Sequence, residues 1–232
     1  MPTAEEKFVD AACWNCAAPL SHAQLFCTGC GKVQPAPDGA DYFEVFQLPR
    51  KLTIDTAALE RQFYHLSRKL HPDIYARASE REQEWSLRNA SLLNDAYRTL
   101  KEPIARTEYL LRLEGVPIEE EGRQAGARQN TSRVPEDLLE EVFELNMQLE
   151  EMRMTRKSGD DDPALREELV RVKQQFEAQL GETDNSLQQL WQQWDEAAPA
   201  SADSVKQRMV ALLDRRRYIR NLVRDVNETL DA

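Results

Sequence analysis

Leu59-Glu60-Arg61-Gln62-Phe63-Tyr64-His65-Leu66-Ser67-Arg68-Lys69-Leu70-His71-Pro72-Asp73 is the stretch on which the reading of the chain turns. Leu59, Phe63, Leu66 and Leu70 recur at four, three and four, which sets them along one face of an amphipathic helix that needs a partner. Arg61, His65, Arg68 and Lys69 fall on the other faces, so the exposed side is basic. Pro72 has no amide hydrogen and disfavours the α region for the residue before it, so the helix has to stop at His71. A polar turn, His71-Pro72-Asp73, is therefore held at the end of a basic helix. Taken alone, the tripeptide is equally an ordinary helix-ending turn with Asp73 capping the next element.

The flanking sequence narrows that choice. Asp41-Tyr42-Phe43 with Leu48 reads as a short helix capped by Asp41, and Asp55 as the cap of the basic helix. Leu92-Leu93-Asn94-Asp95-Ala96-Tyr97-Arg98-Thr99-Leu100 reads as the end of an antiparallel return helix, which makes contact through Trp85, Leu93, Tyr97 and Leu100. The charged segment between Tyr75 and Glu82 is expected to be mobile. Lys101-Glu102-Pro103 stops the return helix, and a further short helix ends at Gly115. This pattern resembles the J domain, in which a His-Pro-Asp loop joins the two long helices of a hairpin.

The chain has 232 residues, 41% of them hydrophobic and 31% charged, with only 8 glycines. It reads as all-α. A formal net charge of −11 argues against general nucleic-acid or anionic-membrane binding, though the basic helix remains as a local patch. No apolar run reaches the roughly 20 residues that a membrane helix needs. The first residues, Met1-Pro2-Thr3-Ala4-Glu5-Glu6-Lys7, resemble neither a secretory leader nor a transit peptide, so the expected location is cytoplasmic.

All four cysteines lie in two CxxC pairs, Cys13/Cys16 and Cys27/Cys30, with ten residues between the pairs. Each pair can put two thiolates on one cation from a tight turn, and two turns complete a tetrahedral site. Gly29 and Gly31 suit such turns. Zinc is the expected ion and iron the nearest rival. The site either ties down an arm too small to fold alone or also serves recognition. No βαβ pattern supports a redox reading of the pairs. This zinc-ribbon-like knuckle is placed at 1–36, a helical hairpin domain at 37–115, a linker at 116–133 and a helical domain at 134–232.

In that last domain Leu138, Val142, Leu145, Leu149 and Met152 form the seam of one helix. Leu165, Leu169, Val172, Phe176, Leu180, Leu187, Trp191 and Trp194 mark a second, with a bend or break expected near Gly181. Val205, Met209, Leu212, Ile219, Val223, Val226 and Leu230 mark a third, interrupted by Arg216. Short links imply an antiparallel three-helix bundle. Off the first seam, Leu139, Phe143 and Met147 form a second apolar stripe. Between Val134 and Met154 stand seven acids and one base. Such a stripe is either buried on a wide face or a docking face for a basic partner.

Asn94-Asp95-Ala96-Tyr97-Arg98-Thr99-Leu100 with Pro103, Arg106, Tyr109-Leu110-Leu111 and Gly115 resembles the iron–sulphur co-chaperone family HscB, in which a J domain is fused to a helical client-binding domain. Thr107 stands where alanine is expected. The resemblance implies an activator of a DnaK/HscA-type ATPase chaperone, bound through His71, Pro72, Asp73, Arg61, Arg68 and Lys69. It also implies docking of the iron–sulphur cluster scaffold protein on Leu139, Phe143, Glu144 and Glu151, with Met147, and with Tyr218 of Arg217-Tyr218 completing the patch. Glu140 and Met147 depart from the family pattern. No nucleophile and no Gly-rich phosphate loop accompany His71 and Asp73, so no enzyme is expected. The alternative is a zinc-dependent adaptor whose acidic bundle oligomerises; for the co-chaperone, a monomer or weak homo-oligomer is expected.

Overall fold

The computed structural model describes residues 11–20, 23–36, 39–118, 135–159, 162–197 and 199–231. The chain divides into two compact units, Met1–Pro117 and Ile118–Ala232. Most of the expected linker at 116–133 lies outside the described residues.

The first unit begins, among the described residues, with a two-residue antiparallel ribbon, β1 (Ala11–Ala12) with β2 (Pro19–Leu20). Helices α1 (Tyr42–Val45), α2 (Thr56–Lys69), α3 (Pro72–Tyr75), α4 (Glu80–Lys101) and α5 (Pro103–Leu113) come next. Asp41 caps α1 in a capping box with Glu44, and Asp55 caps α2 by accepting from the Ala58 amide at 2.9 Å. Arg68 and Lys69 occupy the last turn of α2, where the helix dipole favours cations. Leu59 and Leu70 of the hairpin's first long helix and Leu93, Ala96 and Leu100 of its second are buried. Burial of each leucine contributes on the order of 2 kcal/mol. Phe63 and Leu66 are half-buried, and Phe63 stacks on Tyr97 with ring centroids 4.1 Å apart.

The segment between Tyr75 and Glu82 is more tightly held than its charge suggests. Tyr75 is buried, and Ser79 forms a capping box with Glu82 at the start of α4. Arg106 is buried beneath the hairpin, where its guanidinium donates to the carbonyls of Leu52 and Leu100. Thr107 is fully buried and donates from Oγ1 to the Pro103 carbonyl at 2.8 Å, which satisfies the hydroxyl that an alanine would not bring.

The second unit opens, among the described residues, with a 3-10 turn, Glu136–Leu138, followed by α6 (Leu139–Lys157), α7 (Pro163–Glu196) and α8 (Pro199–Asp231). Leu138, Val142, Leu145, Leu149 and Met152 pack with Leu165, Leu169 and Phe176 of α7 and with Ile219, Leu222 and Val226 of α8. Arg156 donates to the Thr229 and Leu230 carbonyls near the end of α8, neutralising acceptors that have no partner within their helix.

Two expectations for this unit are corrected. α7 runs 34 residues, about 51 Å at 1.5 Å per residue, straight through Gly181 without a break. Thr183 is buried in the helix with its hydroxyl donating to the Gln179 carbonyl, and Leu187 and Leu190 carry the buried stripe on. In α8 the buried positions are Leu213 and Leu222 rather than Leu212 and Val223, which are only partly covered. No helix among the described residues is long and apolar enough to cross a membrane.

Candidate functional site

Two knuckle turns bring the cysteines together. The Cys13 amide donates to the Ala18 carbonyl and the Cys27 amide to the Lys32 carbonyl, at 2.8 and 2.9 Å, so each CxxC sits in the same kind of loop. Gly31 follows the second pair at φ +72° and Ala17 the first at φ 56°. The left-handed position is thus met by glycine in one knuckle and by alanine in the other. Gly29 is not at positive φ, and a Cβ there would make only ordinary van der Waals contact, 3.5 Å from that of Ala18, so neither strain nor space requires glycine at this position.

The four Sγ atoms all lie within 4.8 Å of one another, with Cys13 to Cys30 at 3.6 Å and Cys16 to Cys27 at 3.7 Å. A tetrahedral ion with metal–sulphur bonds of about 2.3 Å sets its sulphurs about 3.8 Å apart, so the group fits a four-thiolate metal ion. All four cysteines are free thiols. Burial opposes the charge on Cys13, but N–H donors from Asn15 and Cys16 and the thiols of Cys27 and Cys30 prevail and bring it down to about 6. The Ala18 amide favours the Cys16 thiolate, yet Cys30, burial, Cys27 and Cys13 together push it up to about 12. Four like charges this close cannot all form without a cation between them.

The knuckle is docked on the hairpin. Trp14 meets Trp85 edge-on at 5.9 Å, and the Arg81 guanidinium lies 4.7 Å from one ring and 4.8 Å from the other. Lys32 pairs with Glu82 at 2.8 Å, which holds the carboxyl below its usual range. Asn89 Nδ2 donates to the Gln34 carbonyl at 2.8 Å. Trp85, read from the sequence as a hairpin contact, faces the knuckle instead. Glu82, Ser86 and Asn89 are buried although their types suggest a solvated face.

His71-Pro72-Asp73 stands at the turn between α2 and α3. His71, not Asp73, is the cap: its Nδ1 accepts from the Asp73 amide at 3.3 Å, and Pro72 takes the first helical position. The His71 and Asp73 side chains remain 59% and 90% exposed, 3.5 Å apart. Arg61 and Arg68 are exposed on α2, and Lys69 is exposed with its ammonium 5.6 Å from the Phe26 ring.

On α6 the second apolar stripe is open. Leu139, Phe143 and Met147 are more than half exposed, Phe143 at 67%, and Met154 extends the line by two turns. Glu140, Glu144, Glu150 and Glu151 are exposed beside them. Tyr218 is elsewhere: at 2% exposure it belongs to the bundle core with Leu145, Leu149 and Ile219. Burial raises its hydroxyl above the usual tyrosine range. It therefore supports α6 from beneath and does not form the patch.

No protein-family model matches the chain. It is 34% identical over 142 residues to the human iron-sulfur cluster co-chaperone protein HscB, covering 60% of this chain and 57% of that one. To the co-chaperone protein HscB homolog of Photobacterium profundum it is 34% identical over 178 residues, covering 77% and 93%. The crystal structure of human co-chaperone protein HscB superposes with a TM-score of 0.63 at 25% identity, over 94% of this chain and 98% of that one.

The chain belongs to the HscB co-chaperone family. Against plant and mammalian HscB proteins the aligned stretch spans about half of the relative's length, 43 to 57%. Seen as an HscB chain, the residues read from the sequence fall into three groups: the cysteine cluster, the His71 to Asp73 loop with its basic helix, and the α6 stripe. The residues missed from the sequence, Gln34, Ser86 and Asn89, are polar groups that fasten the first two together.

Proposed function

We propose that this HscB chain is a non-enzymatic co-chaperone of iron–sulphur cluster assembly. It stimulates ATP hydrolysis by a DnaK/HscA-type chaperone through His71, Pro72 and Asp73, with Arg61, Arg68 and Lys69 steering the approach to an acidic surface. The acidic apolar stripe of α6 (Leu139, Phe143, Glu144, Met147 and Glu151) carries the cluster scaffold protein. The four cysteines hold a structural zinc ion, which ties two loops together without a core of their own. Free thiols this close to one another suit a reducing compartment, the cytoplasm.

The observation that carries the reading is an exposed His71/Asp73 pair fixed in a one-turn helix at the basic end of α2. The deciding experiment is steady-state ATP hydrolysis by the candidate chaperone with this chain or its His71→Gln variant, with and without scaffold. The expected result is stimulation that the variant lacks and that scaffold increases further. Equal stimulation by wild type and variant, or none by either, overturns the reading.

A further inference from the structure

A line of hydrogen bonds joins the metal cluster to the His71 loop. Gln34 is buried, and its side-chain Nε2 donates to the Lys32 carbonyl at 2.9 Å and the Val33 carbonyl at 3.1 Å and lies 3.4 Å from the Cys13 sulphur. Its main-chain carbonyl accepts from Asn89 Nδ2 at 2.8 Å. Asn89 is fully buried on α4, and its Oδ1 has no partner among the described residues, so the Gln34 contact is what this side chain is held for. Three residues earlier, on the same face of α4, the buried Ser86 donates from Oγ to the Leu70 carbonyl at 2.8 Å. Leu70 directly precedes His71. Lys69, the residue before it, lies over the knuckle's Phe26.

We propose that Gln34, Asn89 and Ser86 are positioning residues which make the geometry of the His71-Pro72-Asp73 loop depend on the metal state of the cysteine cluster. The physical step is at Cys13. With an ion bound, the Cys13 sulphur is a fixed, charged acceptor for the Gln34 amide. With the ion removed, the four sulphurs lose the bonds that hold them together, the knuckle turn that carries Lys32, Val33 and Gln34 is no longer anchored at Cys13, and the Gln34 carbonyl is free to pull away from Asn89. Because Asn89 and Ser86 share one turn of α4, a shift of that turn once the Gln34 tie is gone is passed on to the Ser86–Leu70 bond. The loop's own bonds are few: the His71 amide to the Arg68 carbonyl at 3.4 Å, the Ile74 amide to the His71 carbonyl at 3.0 Å and the Asp73 amide to the His71 ring. The coupling is reciprocal, so a partner that holds the loop also tightens the metal.

This inference rests on the co-chaperone reading only for its consequence in the cell; the coupling itself is measured on the isolated chain. The test is hydrogen–deuterium exchange of the His71, Asp73 and Ile74 amides in the full chain, zinc-loaded and after chelation, for wild type, Asn89→Ala and Ser86→Ala. Circular dichroism checks helix content, and the charge-transfer spectrum of the cobalt-substituted site checks that four thiolates still bind. In wild type, chelation is expected to speed exchange of these amides about tenfold. In either variant the loop is expected to exchange fast with metal bound and to respond to chelation by less than about twofold. Asn89→Ala is also expected to weaken metal binding by about tenfold, as loss of a group supporting a ligand does elsewhere. Wild-type loop amides that ignore chelation overturn the inference, as do variants that keep the full metal response. ATPase stimulation measured beside it separates the two readings. Metal-loaded wild type that fails to stimulate sinks the co-chaperone function and leaves the exchange result to judge the relay.

Discussion

Phe63 and Tyr97 stack with 4.1 Å between ring centroids and 10° between planes, joining the middle of α2 to the last third of α4. The Tyr97 hydroxyl also donates to Glu60 Oε1 at 3.0 Å, so the same ring is fixed by its face and by its edge. Phe63→Ala removes the stacked face and is expected to lower unfolding stability by about 2 to 3 kcal/mol. Tyr97→Phe removes only the hydrogen bond and is expected to cost about 1 kcal/mol. Urea unfolding followed by circular dichroism checks both; a loss from Phe63→Ala no larger than that from Tyr97→Phe would mean that the stack is worth no more than the single hydrogen bond.

Phe143 and Tyr218 separate the exposed apolar stripe of α6 from the core that supports it. Phe143→Ala is expected to leave the melting temperature within a degree or two of wild type, because the ring is already in water. On the α6 docking reading it should weaken scaffold binding by about thirtyfold, roughly 2 kcal/mol. Tyr218→Ala is expected to do the reverse, lowering stability by about 3 kcal/mol through the cavity it leaves. Calorimetric titration with scaffold and a thermal melt of each variant give the four values. Unchanged scaffold affinity for Phe143→Ala would remove α6 as the docking face.

Metal binding to the cysteine cluster is expected to strengthen with rising pH. Without metal, Cys13 is a thiolate above about pH 6, while Cys16 keeps its proton up to about pH 12. At neutral pH an incoming ion therefore displaces at least the Cys16 proton. Each proton displaced makes apparent affinity rise about tenfold per pH unit. Competition with a chromophoric chelator at several pH values measures the slope; a flat profile would show that all four ligands are thiolates before metal arrives.

Much of this architecture is legible in one dimension. Asp41 and Asp55 announce α1 and α2, Pro72 ends the basic helix, and the CxxC spacing brings four sulphurs together, because each of these signals acts within a few residues. What the sequence hides are contacts made at long range by residues of the wrong apparent type. Ser86 and Asn89 look like a solvated face of α4 until the end of α2 meets the first at the Leu70 carbonyl and the knuckle meets the second at the Gln34 carbonyl. The choice of Leu213 over Leu212 in α8 depends on the angle at which α7 crosses, which no pattern within one helix contains. Gly181 suggests a break, yet a glycine in a 34-residue helix weakens its surroundings by only about 1 kcal/mol, less than the packing on either side supplies. Tyr218 belongs beside the α6 stripe by likeness alone, and the structure buries it in the bundle core instead.

The cap that His71 makes on α3 also fixes the tautomer of its ring. Nδ1 accepts from the Asp73 amide, so in the neutral imidazole the hydrogen belongs to Nε2. An incoming surface meets one N–H donor on an exposed ring and, 3.5 Å from the other nitrogen, a carboxylate that only accepts. The tripeptide is in this sense a two-letter word of donor and acceptor, spelled in a fixed order by the proline between them. A glutamine can supply an amide donor, but it cannot hold that order with a rigid ring.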